Sequence, residues 1–373
     1  MPQQRYRVAI LGHTGAGDYG HGLDVVYNGM PEVRVAAVSD PDPAGRAACA
    51  ARTGAAAQYA DYRELLEREK PDLVSVSPRW IAGHREMVLA CAAAGVKGIY
   101  CEKPFARTLA EADEMVEACR RSGTRVAVAH QNRALPYLEH VRKLVQSGAI
   151  GTLRRIRGKG KDDSRGGAQD LIVLGTHVLD QMRYLAGDPL WAWAHLRQDD
   201  RDIARGDVRE GSEQVGPIAG NNLTGYYAFP HGVAGSYESY AGRGASRHMG
   251  LWIEGTQGTI TLHGGFAKQA WLCKAPQWTP ELGTGAWEPI RLPEWDRGMD
   301  GHPRSETELQ NLANQKMVRA LIECLEKGGS HFSSDNDARW AMEMYLALPE
   351  SQRTGERVAL PMKERGSAWA KLA

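Results

Sequence analysis

A cluster of glycines near the start of the chain could bind a pyrophosphate. The apolar run Arg5–Leu11 precedes the cluster, and apolar residues resume at Leu23. Read as G-x-G-x-x-G, the loop consists of Gly12, His13, Thr14, Gly15, Ala16 and Gly17, with Thr14 where the second glycine is expected. Glycine lets the backbone approach phosphates closely, and a following helix would offer free N–H groups. The pattern predicts a strand, a glycine loop and a helix that bind a dinucleotide.

An acidic residue further along strengthens this interpretation. The apolar run Val33–Val38 ends in Ser39 and Asp40. An acidic side chain roughly 20 residues past the loop accepts hydrogen bonds from the adenosine ribose and repels a 2′-phosphate. We therefore expect NAD rather than NADP. The alternative is that Asp40 caps a helix beginning near Pro43, which is a common role for aspartate.

Composition restricts the classes of protein to be considered. The chain has 373 residues, more than one hydrophobic core usually serves, so two domains are expected. Its 46 basic and 45 acidic residues nearly balance, which gives no indication of nucleic acid or membrane binding. The six cysteines form no C-x-x-C pair and have no metal-ligand spacing, so no metal is expected. With no signal-peptide pattern and no apolar run of about 18 residues, we expect a cytoplasmic protein.

Helical and extended patterns alternate up to about residue 132. The predicted helices are Pro43–Arg52, Asp61–Glu69, His84–Ala94 and one from Thr108 to Gly123, and the predicted strands are Leu73–Ser77, Gly98–Cys101 and Arg125–His130. Such alternation requires parallel strands with right-handed crossovers. We expect an α/β Rossmann domain, a doubly wound parallel sheet, over residues 1–132, with ligands beyond the carboxyl ends of its strands.

The period changes after a helix predicted from Leu135 to Ser147. Strand patterns follow at Gly151–Lys161, Trp191–His195, Thr224–Phe229, Val233–Tyr240, Gly250–Leu262, Gln269–Lys274 and Arg357–Leu360, and helical patterns at Ser305–Lys327 and Asn336–Leu348. The polar segment Arg197–Asn222 suggests a long surface loop. Residues 133–373 are therefore expected to form an α+β domain with a large, mostly antiparallel open sheet.

Several segments at the predicted strand ends recur in one known family. The glycine loop, Asp40, Ser77-Pro78 followed by His84, and Glu102-Lys103-Pro104 occur in that order. In this the chain resembles the glucose-fructose oxidoreductase, inositol dehydrogenase and rhizopine-catabolism (Gfo/Idh/MocA) family. The resemblance implies NAD as cofactor and a Lys103–Pro104 peptide that can be cis. The cofactor contacts it suggests are Gly12, Thr14, Gly15, Gly17, Tyr19, Asp40, Ser77, Pro78, His84, Glu102, Lys103 and Asn132.

The resemblance also implies catalytic residues. Lys103 would contact the substrate hydroxyl, and His177 would accept its proton; without the flanking pattern, Lys103 would be taken for a surface lysine and His177 for a structural histidine. Family members carry Asp-x-Gly-x-His here, but Val173 occupies the aspartate position. A carboxylate beside a histidine fixes its tautomer, so Asp170 and Asp180 are the candidates to replace it.

Other residues have more than one interpretation. Arg155, Arg157, Lys159 and Lys161 alternate on the predicted strand Gly151–Lys161, which places four cations on one face. With Arg165, they could bind an anionic substrate, and Lys161 and Arg165 are candidate substrate contacts. The alternative is a solvated or intersubunit face paired with Asp162 and Asp163. His84 is expected to be structural, His13, His21 and His302 could line a cleft, and Tyr184 could be a cleft or a core residue.

The leading expectation is NAD-dependent oxidation of a secondary hydroxyl on a sugar, glycoside or cyclitol. The alternative is redox-neutral glycoside hydrolysis, in which NAD oxidises C3, the C1 substituent is eliminated, water adds and the hydride returns. A catalytically silent NAD sensor ranks last, since both Lys103 and His177 are present. The resemblance further implies a homo-oligomer, a dimer or tetramer, formed through the open sheet.

Overall fold

Two compact units make up the chain in the computed structural model, which describes residues 6–242, 249–266, 270–275 and 287–372. The first unit comprises Met1–Gln131, Ser212–Val215 and Gln310–Arg339, and the second comprises Asn132–Gly211, Gly216–Leu309 and Trp340–Ala373. Two segments beyond residue 132 thus pack with the first unit. Arg5 and Gln269, the first residues of two predicted strands, lie outside the described residues.

A parallel sheet forms the centre of the first unit. Its described strands are β1 (Tyr6–Leu11), β2 (Val33–Ser39), β3 (Ala57–Tyr59), β4 (Leu73–Val76), β5 (Gly98–Cys101) and β6 (Arg125–Val128). They lie in the order β3-β2-β1-β4-β5-β6, and every neighbouring pair is parallel. The strand order reverses between β1 and β4, which is where doubly wound sheets bind their ligands. The Rossmann fold expected from the sequence is confirmed.

Helices connect these strands, and their ends follow local capping rules. They are α1 (Pro43–Thr53), α2 (Tyr62–Glu69), α3 (His84–Ala93) and α4 (Leu109–Ser122). The side chains of Asp42, Asp61 and Thr108 accept hydrogen bonds from the first turns of α1, α2 and α4. Asp42, and not Asp40, therefore caps the helix that begins at Pro43.

The helix predicted directly after the glycine loop is absent from the described chain. Two short 3₁₀ turns, Gly20–Gly22 and Val25–Tyr27, occupy its place. Asp18 and His21 adopt left-handed conformations there, with φ of 52° and 43°. These conformations interrupt helical geometry, so no α-helix dipole points at the loop.

The remaining helices and strands belong wholly or partly to the second unit. The helices are α5 (Pro136–Gln146), α6 (Ala168–Asp170), α7 (Thr176–Ala186), α8 (Pro293–Asp296), α9 (Glu306–Lys327), α10 (Asp335–Thr354) and α11 (Ala368–Leu372). Helix α9 from Gln310 onward and α10 up to Arg339 belong to the first unit. A π-helical turn, Leu171–Gly175, joins α6 to α7. No helix within the described ranges is long and apolar enough to cross a membrane.

Most strands of the second unit form one large sheet. The strands of this unit are β7 (Leu153–Lys159), β8 (Trp191–Gln198), β9 (Arg201–Asp202), β10 (Arg209–Glu210), β11 (Pro217–Ile218), β12 (Asn222–Ala228), β13 (Ala234–Tyr240), β14 (Gly250–Gly255), β15 (Thr259–His263), β16 (Ala270–Cys273), β17 (Glu288–Ile290) and β18 (Val358–Ala359). The large sheet, as described, runs β17-β16-β15-β14-β7-β13-β12-β8-β18, with β9 beside β8, and β10 and β11 form a separate antiparallel pair. Only the pairing of β13 with β7 is parallel among these described strands, so the mostly antiparallel sheet is confirmed.

Two sequence predictions in this unit need correction. The single strand expected over Gly250–Leu262 is a hairpin, because the chain turns between Gly255 and Thr259. The segment predicted as a long loop, Arg197–Asn222, carries the short strands β9, β10 and β11. The polar, glycine-containing composition of this segment is typical of a loop, and strands of two residues are too short to show an alternating pattern.

Candidate active site

The glycine loop of the first unit is a tight hairpin after β1. The N–H groups of His13 and Ala16 donate to the carbonyls of Asp18 and His13, at 3.3 and 2.9 Å. Gly15 and Gly17 have φ of 82° and 97°, which favour glycine. A Cβ at residue 17 would lie 2.4 Å from the backbone nitrogen of Trp80, whereas one at Gly15 would meet nothing within 4 Å. The backbone at Gly15 is therefore open to the close approach of a ligand.

Two carboxylates accept hydrogen bonds from donor groups of this loop. The Thr14 N–H lies 3.1 Å from both carboxylate oxygens of Asp40, and the Thr14 hydroxyl donates to Oδ2 at 2.8 Å. The Gly15 N–H donates to Asp18 Oδ1 at 2.9 Å. Asp40 is fully buried, and it also accepts from the Asp42 N–H at 3.0 Å. Asp40 thus connects the end of β2 to the loop. A phosphate bound at Gly15 would displace the exposed Asp18 carboxylate from the Gly15 N–H.

Tyr19 packs on the first glycine of the loop. A Cβ at Gly12 would lie 2.2 Å from Tyr19 Cε1, so any larger residue there would displace the ring. The Arg52 guanidinium lies 4.6 Å from the centroid of the same ring. Burial raises the pKa of the Tyr19 hydroxyl well above its ordinary value.

Ser77, Pro78 and His84 lie beyond the carboxyl end of β4. The Ser77 carbonyl accepts from the Gly20 N–H at 2.7 Å, which joins this segment to the glycine loop. Both ring nitrogens of the buried His84 face backbone carbonyls, those of Pro78 at 2.7 Å and Pro104 at 2.9 Å. His84 therefore connects the segments that follow β4 and β5, in agreement with a structural role.

The Glu102-Lys103-Pro104 segment follows β5 directly. Glu102 is fully buried, Lys103 is 2% exposed, and the Lys103–Pro104 peptide is cis, as the resemblance implied. Glu102 Oε2 accepts from the backbone N–H of Lys103 at 2.7 Å, and Oε1 contacts His21 Nδ1. The contact with His21 was not anticipated, because the sequence gives no periodicity that relates the two residues.

His177 is the second residue of helix α7 in the second unit, just after the π-helical turn. It is 8% exposed, and its carbonyl accepts from Gln181 Nε2 at 2.9 Å. Val173, at the position of the family aspartate, is buried within the π-helical turn. Single-turn π-helices occur frequently at functional sites. Lys103 and His177 lie in different units.

The two aspartates proposed as replacements differ in their partners. Asp180 is fully buried and forms a two-bond ion pair with Arg133, at 2.7 and 2.9 Å. Asp170, also fully buried, accepts through Oδ2 from Ser239 Oγ at 2.6 Å and from the Lys161 N–H at 2.9 Å. Its Oδ1 has no hydrogen-bond partner among the described residues. Burial raises the pKa of Asp170.

Acidic residues pair with the five predicted cations of this face, Arg155, Arg157, Lys159, Lys161 and Arg165. Arg155 and Arg157 lie 4.0 and 3.3 Å from Glu254 of β14. Lys159 pairs with Asp162 at 2.7 Å. Lys161 and Arg165 pair with Asp163 at 3.5 and 2.6 Å. The Arg165 hydrogen bonds lower the pKa of Asp163 to about 2. This pairing matches the alternative interpretation of a charge-balanced face.

Two further predicted residues lie in the second unit. Asn132 is 6% exposed within the 3₁₀ turn Gln131–Ala134. Tyr184 of α7 is half-buried, with the guanidinium groups of Arg133 and Arg142 at 4.5 and 4.4 Å from its ring centroid. Two guanidinium groups therefore pack against the Tyr184 ring.

Known proteins resemble this chain in sequence and in fold. Levoglucosan dehydrogenase of Pseudarthrobacter phenanthrenivorans is 28% identical over 289 residues, 68% of this chain and 73% of that protein. D-apiose dehydrogenase of Paraburkholderia graminis is 29% identical over 269 residues, 69% of this chain and 68% of that protein. A solved levoglucosan dehydrogenase in complex with NADH and levoglucosan superposes with a TM-score of 0.74 at 22% identity, over 95% of this chain and 99% of that one.

Family models match a segment of each unit. Residues 6–130 match the model described as the oxidoreductase family, NAD-binding Rossmann fold, and residues 138–261 match the GFO/IDH/MocA C-terminal domain. NAD is thus the cofactor, as expected from Asp40 and the glycine loop, and the open backbone at Gly15 fits its pyrophosphate. The chain belongs to the Gfo/Idh/MocA family of NAD-binding oxidoreductases.

Proposed function

We propose that the protein oxidises a secondary hydroxyl of a sugar, glycoside or cyclitol with NAD. The observation that carries this proposal is Lys103, an almost fully buried amine at the carboxyl end of β5, within a Glu-Lys-Pro segment of an NAD-binding family. Lysine side chains are mostly exposed in folded proteins, so an amine buried this deeply at a strand end is unusual. The relatives named for levoglucosan and D-apiose support a carbohydrate substrate.

Each catalytic side chain has one role in this proposal. Lys103 donates a hydrogen bond to the substrate hydroxyl oxygen and orients it. His177 accepts the hydroxyl proton, while bound NAD supplies the acceptor for the hydride from the same carbon. The carbon loses one hydride and its oxygen loses one proton, so the product is a ketone and the cofactor is reduced.

Asp170 is the better candidate to replace the missing aspartate. Its Oδ1 retains acceptor capacity, whereas both oxygens of Asp180 accept from Arg133. Asp170 lies immediately before the π-helical turn that precedes His177. An ionised Asp170 would favour the protonated imidazole and so help His177 accept a proton.

The surface charges favour an uncharged substrate over an acidic one. Lys161 and Arg165 already pair with Asp163, so an anionic sugar would have to compete with an internal carboxylate.

The open sheet of the second unit supports the expectation of a homo-oligomer. Trp193 and Tyr226, opposite each other on β8 and β12, are 44% and 38% exposed.

The test is a panel of free sugars, cyclitols and aryl glycosides, with NADH absorbance and aglycone release followed together. Oxidation predicts stoichiometric NADH, whereas aglycone release without lasting NADH, with solvent deuterium at C2, would establish the glycosidase instead. Lys103→Ala and His177→Ala should each lower turnover by about 10²- to 10⁴-fold while NAD binding stays nearly unchanged. Lys97→Ala, which removes an exposed lysine paired with Asp72, is the matched control. Near-normal turnover of either active-site variant would refute its role.

A further inference from the structure

His21 connects the glycine loop to the segment that carries Lys103. Its ring Nδ1 contacts Glu102 Oε1, and the other carboxylate oxygen accepts from the Lys103 backbone N–H at 2.7 Å. Glu102 is fully buried, so these contacts replace the water that would otherwise solvate its carboxylate. A single carboxylate therefore joins the end of the loop to the main chain of Lys103.

The backbone around His21 is arranged to allow this contact. A Cβ at Gly20 would lie 2.4 Å from Glu102 Oε1, so only glycine fits beside the carboxylate. His21 itself has a φ of 43°, a conformation that is uncommon outside glycine. Gln310 Nε2 and Asn314 Nδ2 donate to its carbonyl at 2.7 and 2.8 Å and hold it in that conformation.

These contacts close a ring of hydrogen bonds that begins on β5 and ends at the residue directly after it. Tyr100 of β5 donates its hydroxyl proton to Asn314 Oδ1 at 2.7 Å, and Asn314 donates to the His21 carbonyl. The His21 ring contacts Glu102, which is two residues after Tyr100. A closed network of this kind fixes its members more firmly than separate hydrogen bonds would.

The charge of Glu102 makes the His21 contact necessary. Burial alone would raise the pKa of Glu102, but the neighbouring His21 and Lys103 outweigh burial, and the pKa lies below its ordinary value. A buried, ionised carboxylate needs hydrogen-bond donors, and His21 supplies the side-chain donor in this contact. Without it, the carboxylate would be free to rotate away from the Lys103 N–H.

We infer that His21 is a positioning residue, which acts through Glu102 to fix the main chain of Lys103. The inference rests on the proposed function, because Lys103 is given its task there. It assigns a physical connection between the loop that binds the cofactor pyrophosphate and the side chain that contacts the substrate hydroxyl. His21 need not touch the substrate or the cofactor.

Three substitutions separate this role from simple packing. His21→Asn keeps an N–H donor at the δ position, where Nδ1 lies, and asparagine tolerates positive φ. His21→Gln moves the amide one bond further along the side chain, and His21→Ala removes the donor. His231→Ala is the control, because His231 is an exposed histidine with a φ of 59°.

The first measurement needs no substrate. Hydrogen–deuterium exchange of the Lys103 amide, in the holoenzyme with NAD, should be roughly 10- to 100-fold faster in His21→Ala and His21→Gln, because a hydrogen bond to a charged acceptor is weakened. His21→Asn and His231→Ala should exchange as the native protein does. Unchanged exchange in His21→Ala would overturn the inference, whether or not any sugar is oxidised.

The second measurement uses a substrate found in the sugar panel. In His21→Ala and His21→Gln, kcat should fall about 10- to 100-fold, with KM and the calorimetric Kd for NAD nearly unchanged, since a misplaced reacting group costs about that much. His21→Asn should restore most of kcat. Full kcat in His21→Ala, or a loss in His21→Asn equal to that in His21→Ala, would overturn the role. Failure of the whole panel would instead count against the proposed function.

Discussion

Replacing Asp180 with asparagine should destabilise the protein without removing a catalytic group. The change keeps the size of the side chain but removes the charge that faces Arg133. Both partners are buried, with side-chain exposures of 5% for Arg133 and 0% for Asp180, and two hydrogen bonds of 2.7 and 2.9 Å join them. The variant would therefore leave a guanidinium with no countercharge from Asp180.

The size of the expected loss of stability follows from the burial of the Arg133–Asp180 pair. Removing one partner of a buried ion pair costs about 3–5 kcal/mol, whereas an exposed pair contributes no more than about 1 kcal/mol. Asp188→Asn is the matched control, because Asp188 pairs with Arg183 at 2.6 Å but is 49% exposed. Equilibrium unfolding in urea, followed by circular dichroism, should show a loss of about 3–5 kcal/mol for Asp180→Asn and less than about 1 kcal/mol for Asp188→Asn.

A second variant checks the reasoning. Arg133→Met combined with Asp180→Leu replaces both charges by apolar groups of similar volume, which is often neutral for a buried pair, so most of the lost stability should return. A loss in Asp180→Asn as small as that in Asp188→Asn would refute the argument. If stability held but turnover collapsed, Asp180 would instead serve His177, as the sequence had allowed.

Two further predictions concern the glycine loop and the charged face. A Cβ at residue 45 would lie 1.8 Å from Thr14 Oγ1, so Gly45→Ala should separate Thr14 from Asp40. The variant should therefore bind NAD about tenfold more weakly in calorimetry. Gly206→Ala, where a Cβ would meet nothing within 4 Å, should bind NAD as the native protein does. The same titrations should show native protein binding NAD more tightly than NADP, and equal affinities would place Asp40 away from the ribose. Arg165→Met should raise the pKa of Asp163 from about 2 toward about 3.9 in a carbon NMR titration. Because the pKa is lowered in the folded protein, this pair stabilises above about pH 4, and its contribution disappears as the pH falls toward 2; an unchanged pKa in the variant would show that Arg165 is not the cause.

Much of the first unit could be predicted from local sequence. Short apolar runs bounded by glycine, proline and aspartate mark its strands, and β5 was predicted with its observed bounds, Gly98–Cys101. The segment Glu102-Lys103-Pro104 was identified at the end of that strand. Such runs are informative because a strand in a parallel sheet is buried on both faces.

Other features depend on contacts between distant residues. The helix expected after the glycine loop fails to form where Asp18 and His21 take positive φ, and the His21 carbonyl is held by residues almost 300 positions later. The contact between His21 and Glu102 has no local signature either. Likewise, the alternating cations of β7 indicated a charged face, but their pairing with Glu254 required the register of β14.

The discontinuous first unit has a consequence for how the protein is made. The last strand of its sheet, β6, binds a segment made much later, with the Val128 N–H donating to the Ser333 carbonyl and the Ser333 hydroxyl donating to the Val128 carbonyl, both at 2.9 Å. The two residues are 205 positions apart, which corresponds to roughly 10–40 s of translation at about 5–20 residues per second. During that interval the outer edge of β6 lacks this partner, and an unpaired strand edge is prone to associate with other chains. The nascent protein therefore carries an open sheet edge at β6 until the segment around Ser333 has been made.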